Sequence, residues 1–218
     1  IINRTNGRVP IVAGMGSNNT ADLVEQLHSF NLDGVVAILS VVPYYNKPSQ
    51  EGIYRHFMAV AEASPVPVII YNVPGRTGLN MTAQTTLRLA RATDKIVAIK
   101  EACGNIEQMQ QILDGRPDNF LVLSGDDGLT VELVKRGGDG VISVAANVFP
   151  ERFCGCVHNA MKGNIALAES EIAELTPAID LLFKEGNPTG VKAMTAAMGI
   201  TRSEVRLPLV EGTENLAA

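Results

Sequence analysis

Lys100 stands at the end of an apolar run, Ile96-Val97-Ala98-Ile99, where an amine is carried to the lip of a buried strand. An amine placed there loses part of its hydration, which favours the neutral form and makes it a nucleophile towards carbonyl carbon. Arginine has no such option because its guanidinium stays charged. A second run, Val68-Ile69-Ile70, ends in Tyr71, whose hydroxyl suits the proton transfers of carbinolamine formation and dehydration. Tyr71 leads into Asn72-Val73-Pro74-Gly75-Arg76-Thr77-Gly78. Pro74-Gly75 predicts a turn that returns Arg76 towards the strand end, where a guanidinium holds a carboxylate through paired hydrogen bonds. Tyr44 and Tyr45 fall in a Pro-flanked loop, Val42 to Pro48, fitted either to a site or to a subunit contact. Gly125-Asp126-Asp127 follows a third run, Leu121 to Ser124.

Such residues need strands that end side by side. Six short runs supply candidates: Val9 to Ala13, Val35 to Ser40, Val66 to Tyr71, Ile96 to Lys100, Leu121 to Ser124 and Gly140 to Ala145. Several are apolar at nearly every position, the pattern of a parallel strand covered on both faces. Between them lie segments with helical spacing, such as Leu23, Leu27 and Phe30, so the chain reads as successive strand-helix units. In the strand holding Lys100, period two puts Ile96, Ala98 and Lys100 on one face, and Val97, Ile99 and Glu101 on the other. After Val148 only helices are predicted: Phe149 to Met161, Ile165 to Lys184, and Pro188 to Met198 with Asn187 as N-cap and Pro188 at the first helical position. An open doubly wound sheet and an eight-stranded barrel both fit six units. The placement of reactive residues at C-terminal strand ends favours the barrel, whose active sites lie at that face. The stretch Gly14-Met15-Gly16-Ser17-Asn18-Asn19-Thr20 lacks the third glycine of a dinucleotide loop and predicts instead a tight turn with Asn19 or Thr20 capping the next helix.

Composition excludes several classes. With 46% hydrophobic residues and a net charge of -5, the 218 residues suit one sizeable globular domain with a small appendage and offer no basic surface for nucleic acid. No apolar run approaches the roughly 20 residues that cross a bilayer. Cys103, Cys154 and Cys156 are sparse and odd in number, fitting a reducing cytoplasm, and His28, His56 and His158 are scattered, so no metal site is expected. The chain opens on Ile1 rather than Met and ends within a helical pattern beginning near Thr213, which is read as part of a longer polypeptide.

Taken in order, Pro43-Tyr44-Tyr45-Asn46, Tyr71-Asn72-Val73-Pro74 with Arg76-Thr77-Gly78, Ile99-Lys100-Glu101, Ser124-Gly125-Asp126-Asp127, Gly140-Val141-Ile142-Ser143-Val144, and Asn187-Pro188 with Val191-Lys192 resemble the dihydrodipicolinate synthases of the N-acetylneuraminate lyase superfamily. The resemblance implies a (β/α)8 TIM barrel lacking its first two strand-helix units in these residues, with a C-terminal helical extension. Residues 1–163 would form the partial barrel, the family's strands three to eight, and residues 164–218 the helical domain. It also implies a class I lyase condensing pyruvate with aspartate semialdehyde through a Schiff base on Lys100, with no metal or organic cofactor. Tyr71 and Tyr45 would move protons, Tyr45 reaching across a tight dimer. Arg76 would hold the semialdehyde carboxylate, and Gly125 and Ile142 would line the pyruvate pocket. Asn18, Asp22 and Tyr44 would belong to an L-lysine inhibitor site. The implied assembly is a cytoplasmic homotetramer of two tight dimers. The threonine stretch that completes the family's proton relay has no counterpart here. A sugar-acid aldolase of the same superfamily, or a catalytically silent paralogue or fragment, are the competing readings.

Overall fold

In a computed structural model the chain is described over residues 1–217, the side chain of Ala217 excepted. It divides into two compact units, Ile1–Gly125 and Asp126 onward. The first unit is a parallel-strand α/β structure. Its strands are β1 (Val12–Gly14), β2 (Ala37–Val41), β3 (Val68–Asn72), β4 (Ile96–Glu101) and β5 (Leu121–Ser124), hydrogen-bonded in that order and all parallel. Its helices are α1 (Ile2–Thr5), α2 (Thr20–Ser29), α3 (Gln50–Ala63), α4 (Pro74–Thr77), α5 (Ala83–Ala92) and α6 (Ile106–Gly115). Sequential neighbours throughout are the mark of repeated βαβ units.

Local chemistry starts each crossover helix. Asn19 caps α2 by accepting from Ala21 N, as expected. Ser49 accepts from Gly52 N at α3, Thr82 from Thr85 N at α5, and Asn105 from both Glu107 N and Gln108 N at α6. Each cap satisfies amides that would otherwise lack a partner in the first turn, a contribution of typically about 1 kcal/mol. Between sheet and helices, Ile38, Ile70, Ile99 and Val122 are fully buried, as are Leu23, Ile53, Phe57, Leu89, Met109 and Ile112 on the helices. Burial of each such side chain contributes roughly 1.5–3 kcal/mol. The other sheet face carries a smaller cluster of Ala37, Ile69 and Ala98, flanked by Leu39 and Val97.

The second unit contains α7 (Thr130–Lys135), the two-residue strand β6 (Gly140–Val141), a 3-10 turn at Ala145–Asn147, α8 (Pro150–Met161), α9 (Ile165–Lys184), α10 (Thr189–Ala197) and α11 (Glu214–Ala217). Phe153, Val157, Leu175, Ile179 and Leu182 form its core with Ala145 and Val148.

Three expectations are corrected. The run Gly140 to Ala145 is strand only at Gly140–Val141, because the Asp127 carboxylate accepts from Val144 N at 3.1 Å and Ala145 N at 2.8 Å and folds the backbone into the 3-10 turn. Asn187 is not the cap of α10. Pro188 occupies that position with φ -91° and ψ 6°, and the helix begins at Thr189. Ile96 does not share the face of Ala98, because the β3–β4 register shifts between Val68 and Ile69. Ile96 pairs with Val68, and Val97 packs on the Ala37–Ile69–Ala98 cluster in its place.

His56, on α3, is buried with its Nδ1 2.9 Å from Thr20 Oγ1 on α2 and its Nε2 without a partner. Burial depresses its pKa to about 4. Since an unfolded histidine titrates near 6.5, the folded state resists protonation, and stability held above about pH 6.5 is lost as pH falls towards 4. Between about pH 7.5 and pH 5 the wild-type protein is expected to lose about 2 kcal/mol more unfolding free energy than a His56→Gln variant. Urea titrations at the two pH values measure the difference, and parallel losses in the two proteins would refute the assignment.

Candidate active site

The C-terminal ends of β3 and β4 lie side by side. Tyr71 pairs with Lys100 and Asn72 with Glu101 across the ladder. On one face the Lys100 ammonium nitrogen lies 4.2 Å from the centroid of the Tyr71 ring, and Lys100 is only 8% exposed. Burial pushes the half-buried Tyr71 hydroxyl above its ordinary pKa, with the Arg76 guanidinium opposing it. A phenol held protonated at neutral pH is able to donate a proton beside an amine nucleophile.

Gly125 follows β5. Its N–H donates to the Glu101 carbonyl at 2.7 Å, and a Cβ at this position would sit 2.6 Å from Ala102 Cβ and 3.1 Å from both Cγ and Cε of Lys100. Only hydrogen in place of a side chain leaves the lysine stem its path. Arg76 is exposed on the single helical turn α4, which Gly78 closes at φ 75°. The turn predicted from Pro74-Gly75 is therefore this helical turn.

Tyr45 is 85% exposed with φ 72°, in a three-residue turn where Asn46 N donates to the Tyr44 carbonyl at 2.9 Å. Its own N–H donates to the Thr77 carbonyl at 3.3 Å, which joins this loop to the Arg76 segment. Asn46 Nδ2 donates to the Asn18 carbonyl at 2.9 Å, so Asn18 and Tyr44 lie on adjoining loops, with exposed Asp22 in the first turn of α2. Ile142 lies in the second unit, half-buried just after β6.

The opposite face of the same strand ends carries a polar cluster that the sequence reading passed over. The fully buried Glu101 carboxylate accepts from Asn72 Nδ2 at 3.0 and 3.1 Å, from Gln108 Nε2 at 3.1 Å and from Cys103 N at 2.9 Å. Burial raises its pKa above the ordinary value, while the bonds from Asn72, Cys103 and Gln108 work to lower it. Cys103 is pushed up to about 12, by burial first and then by the charge of Glu101, which leaves it an inert thiol. The available signal was a polar residue, Asn72 and then Glu101, at helix-facing positions of otherwise apolar strands. A surface hollow of ≈ 600 Å³ lined by Arg55, Met58, Glu62, Thr93 and Lys95 lies where the chain enters β4, and none of the residues above lines it.

The profile of the dihydrodipicolinate synthetase family matches residues 1–217. The chain belongs to this family. Among members of the dihydrodipicolinate synthetase family, the 4-hydroxy-tetrahydrodipicolinate synthase of Phocaeicola vulgatus is 54% identical over 210 residues, covering 96% of this chain and 71% of that protein. The crystal structure of dihydrodipicolinate synthase from Thermotoga maritima superposes with a TM-score of 0.96 at 36% identity, over 99% of this chain and 74% of the other. The chloride-inhibited dihydrodipicolinate synthase from Acinetobacter baumannii, solved with pyruvate, gives a TM-score of 0.94 at 39% identity, over 99% and 74%. The expected family membership is thus established. The parallel strand-helix order of the first unit accords with the likeness to these solved structures.

Proposed function

We propose that the protein is a 4-hydroxy-tetrahydrodipicolinate synthase that condenses pyruvate with L-aspartate 4-semialdehyde through a Schiff base on Lys100. The observation that carries this reading is the pairing of a buried Lys100 with Tyr71 on adjacent strand ends, 4.2 Å from amine to ring centroid. The lysine nitrogen adds to the pyruvate carbonyl carbon, and the resulting carbinolamine loses its hydroxyl as water to leave an imine. Loss of a methyl proton gives the enamine, whose carbon attacks the semialdehyde aldehyde. Attack by the semialdehyde's own amine then displaces Lys100 and closes the ring. Tyr71 supplies and removes protons near the imine, and Arg76 holds the incoming carboxylate by paired hydrogen bonds. Gly125 and Ile142 line the pyruvate pocket. Covalent catalysis by lysine needs neither metal nor organic cofactor.

The finer architecture is part of the same proposal. Residues 1–163 belong to a (β/α)8 barrel completed by two further strand-helix units, and residues 164–218 to a helical domain, of which Ala218 lies outside the described residues. The exposed Tyr45 reaches into a neighbouring subunit of a tight dimer, two of which form a cytoplasmic homotetramer. Asn18, Asp22 and Tyr44 contribute to a lysine inhibitor site, supported by the hydrogen bonds that draw the Asn18 and Tyr44 loops together.

Turnover of pyruvate by the full-length protein with aspartate semialdehyde, compared with sugar aldehydes, tests the assignment. A preference for the semialdehyde of roughly 100-fold or more in kcat/KM is expected, since a site built to pair a carboxylate rejects acceptors lacking one. Equal or greater turnover of a sugar aldehyde would reassign the acceptor.

A further inference from the structure

We propose that Glu101 is a positioning residue for the Schiff-base reaction: its carboxylate, on the reverse face of β4, fixes the strand ends that aim Lys100 and Tyr71. The inference rests on the Schiff-base reading and adds a residue that touches no substrate.

The cluster has one consistent assignment of donors and acceptors. Asn72 Oδ1 accepts from Met81 N at 3.0 Å, which turns Asn72 Nδ2 towards Glu101 and towards Asn80 Oδ1 at 2.8 Å. Asn80 Nδ2 donates to Gln108 Oε1 at 2.8 Å, which turns Gln108 Nε2 towards Glu101 and the Met81 carbonyl at 3.0 Å. Neither amide can flip without placing like groups together. The Cys103 N–H completes a set of three donors, all directed at Glu101, so the position requires an acceptor-only group.

Its reach explains its importance. Asn72 is the chain neighbour of Tyr71, and Glu101 of Lys100. The ladder continues past both, with Ala102 N donating to the Asn72 carbonyl at 2.8 Å and Gly125 N to the Glu101 carbonyl at 2.7 Å. Asn80 also ties the cluster to the start of α3, because its carbonyl accepts from Gln50 Nε2 at 2.9 Å. One carboxylate therefore joins the ends of β3 and β4, the loop after Arg76 and the first turns of α6. Misplacement of a reacting group by about 1 Å costs on the order of 10²-fold in rate.

The test uses the full-length protein and the rate of borohydride-trapped pyruvyl adduct per trappable site, with kcat, KM for pyruvate and Tm alongside. Glu101→Gln replaces one of the two accepting oxygens by an NH2 group, which then faces two of the three donors, Asn72 with either Cys103 or Gln108. It is expected to slow trapping about 10- to 100-fold, to reach the wild-type end-point, and to lower kcat far more than it changes KM. Glu101→Asp, still acceptor-only, recovers part of the rate. Leu175→Ala, in the core of the second unit, lowers Tm but leaves the rate per site unchanged. Trapping by Glu101→Gln at the wild-type rate overturns the proposal. If Glu101→Gln does not fold, the half-buried Asn80→Ala decides it, a drop of about 3-fold or more supporting the proposal and a wild-type rate overturning it. No adduct on the wild-type protein would instead overturn the Schiff-base reading itself, and this proposal with it.

Discussion

Replacement of Lys100 by alanine is expected to abolish the borohydride-trapped pyruvyl adduct and to lower turnover by on the order of 10⁴-fold or more, the scale reached when a covalent nucleophile is removed. Lys100→Arg should do the same, because a guanidinium is not deprotonated and does not form the imine. The expectation follows from position: Lys100 is buried, lies over Tyr71, and is the penultimate residue of a strand whose neighbour has that tyrosine in the matching place. Intact mass and peptide mapping of the reduced protein provide the readout. An adduct that persists in Lys100→Ala, for instance on Lys47 in the tyrosine loop, would move the chemistry elsewhere.

The second large effect is expected at a residue with no functional group. Gly125→Val introduces a Cβ whose nearest neighbours would be Ala102 Cβ at 2.6 Å and the Lys100 stem at 3.1 Å. Ala102 has little room to yield, since its N–H is bonded to the Asn72 carbonyl and the preceding carbonyl to Gly125 itself. The lysine stem is the softer neighbour and moves. Overpacking of this kind costs about 1–3 kcal/mol in stability, and the displaced amine about 10²-fold in trapping rate. The measurement pairs Tm with single-turnover trapping. A variant that traps pyruvate at the normal rate would show that Lys100 does not depend on this clearance.

These residues differ in how plainly they stood in the sequence. Lys100 and Tyr71 were legible because each closes an apolar run, and a chemically useful side chain at a strand end is conspicuous against Val and Ile. β5 and α9 also occupy the predicted residues, α9 running through Pro177 because its apolar spacing continues on both sides of it. The failures have long-range causes. β6 stops early because Asp127, well before it in the chain, takes two amides of the following segment. Ile96 faces away from its expected neighbours because of a register shift that only the partner strand reveals. The Glu101 cluster was missed because Asn72, Asn80, Glu101 and Gln108 share no sequence spacing, and folding alone brings them together. The positive φ of Tyr45 was equally hidden, being held by a hydrogen bond to Thr77 more than thirty residues on.

The strictly sequential strand order also has a kinetic meaning. Each pairing from β1 to β5 joins segments separated by about thirty residues or fewer, so each closes a loop of similar length and similar entropic cost. No pairing in this unit waits on a more distant part of the chain than the next strand-helix crossover. Docking β4 on β3 is one such closure, and it brings together in a single event the Tyr71–Lys100 pair on one face and the Asn72–Glu101 pair on the other. One pairing of strands thus sets both the reactive pair and the two strand residues of the cluster behind it, and Asn80 and Gln108 complete that cluster from the loop after β3 and from α6.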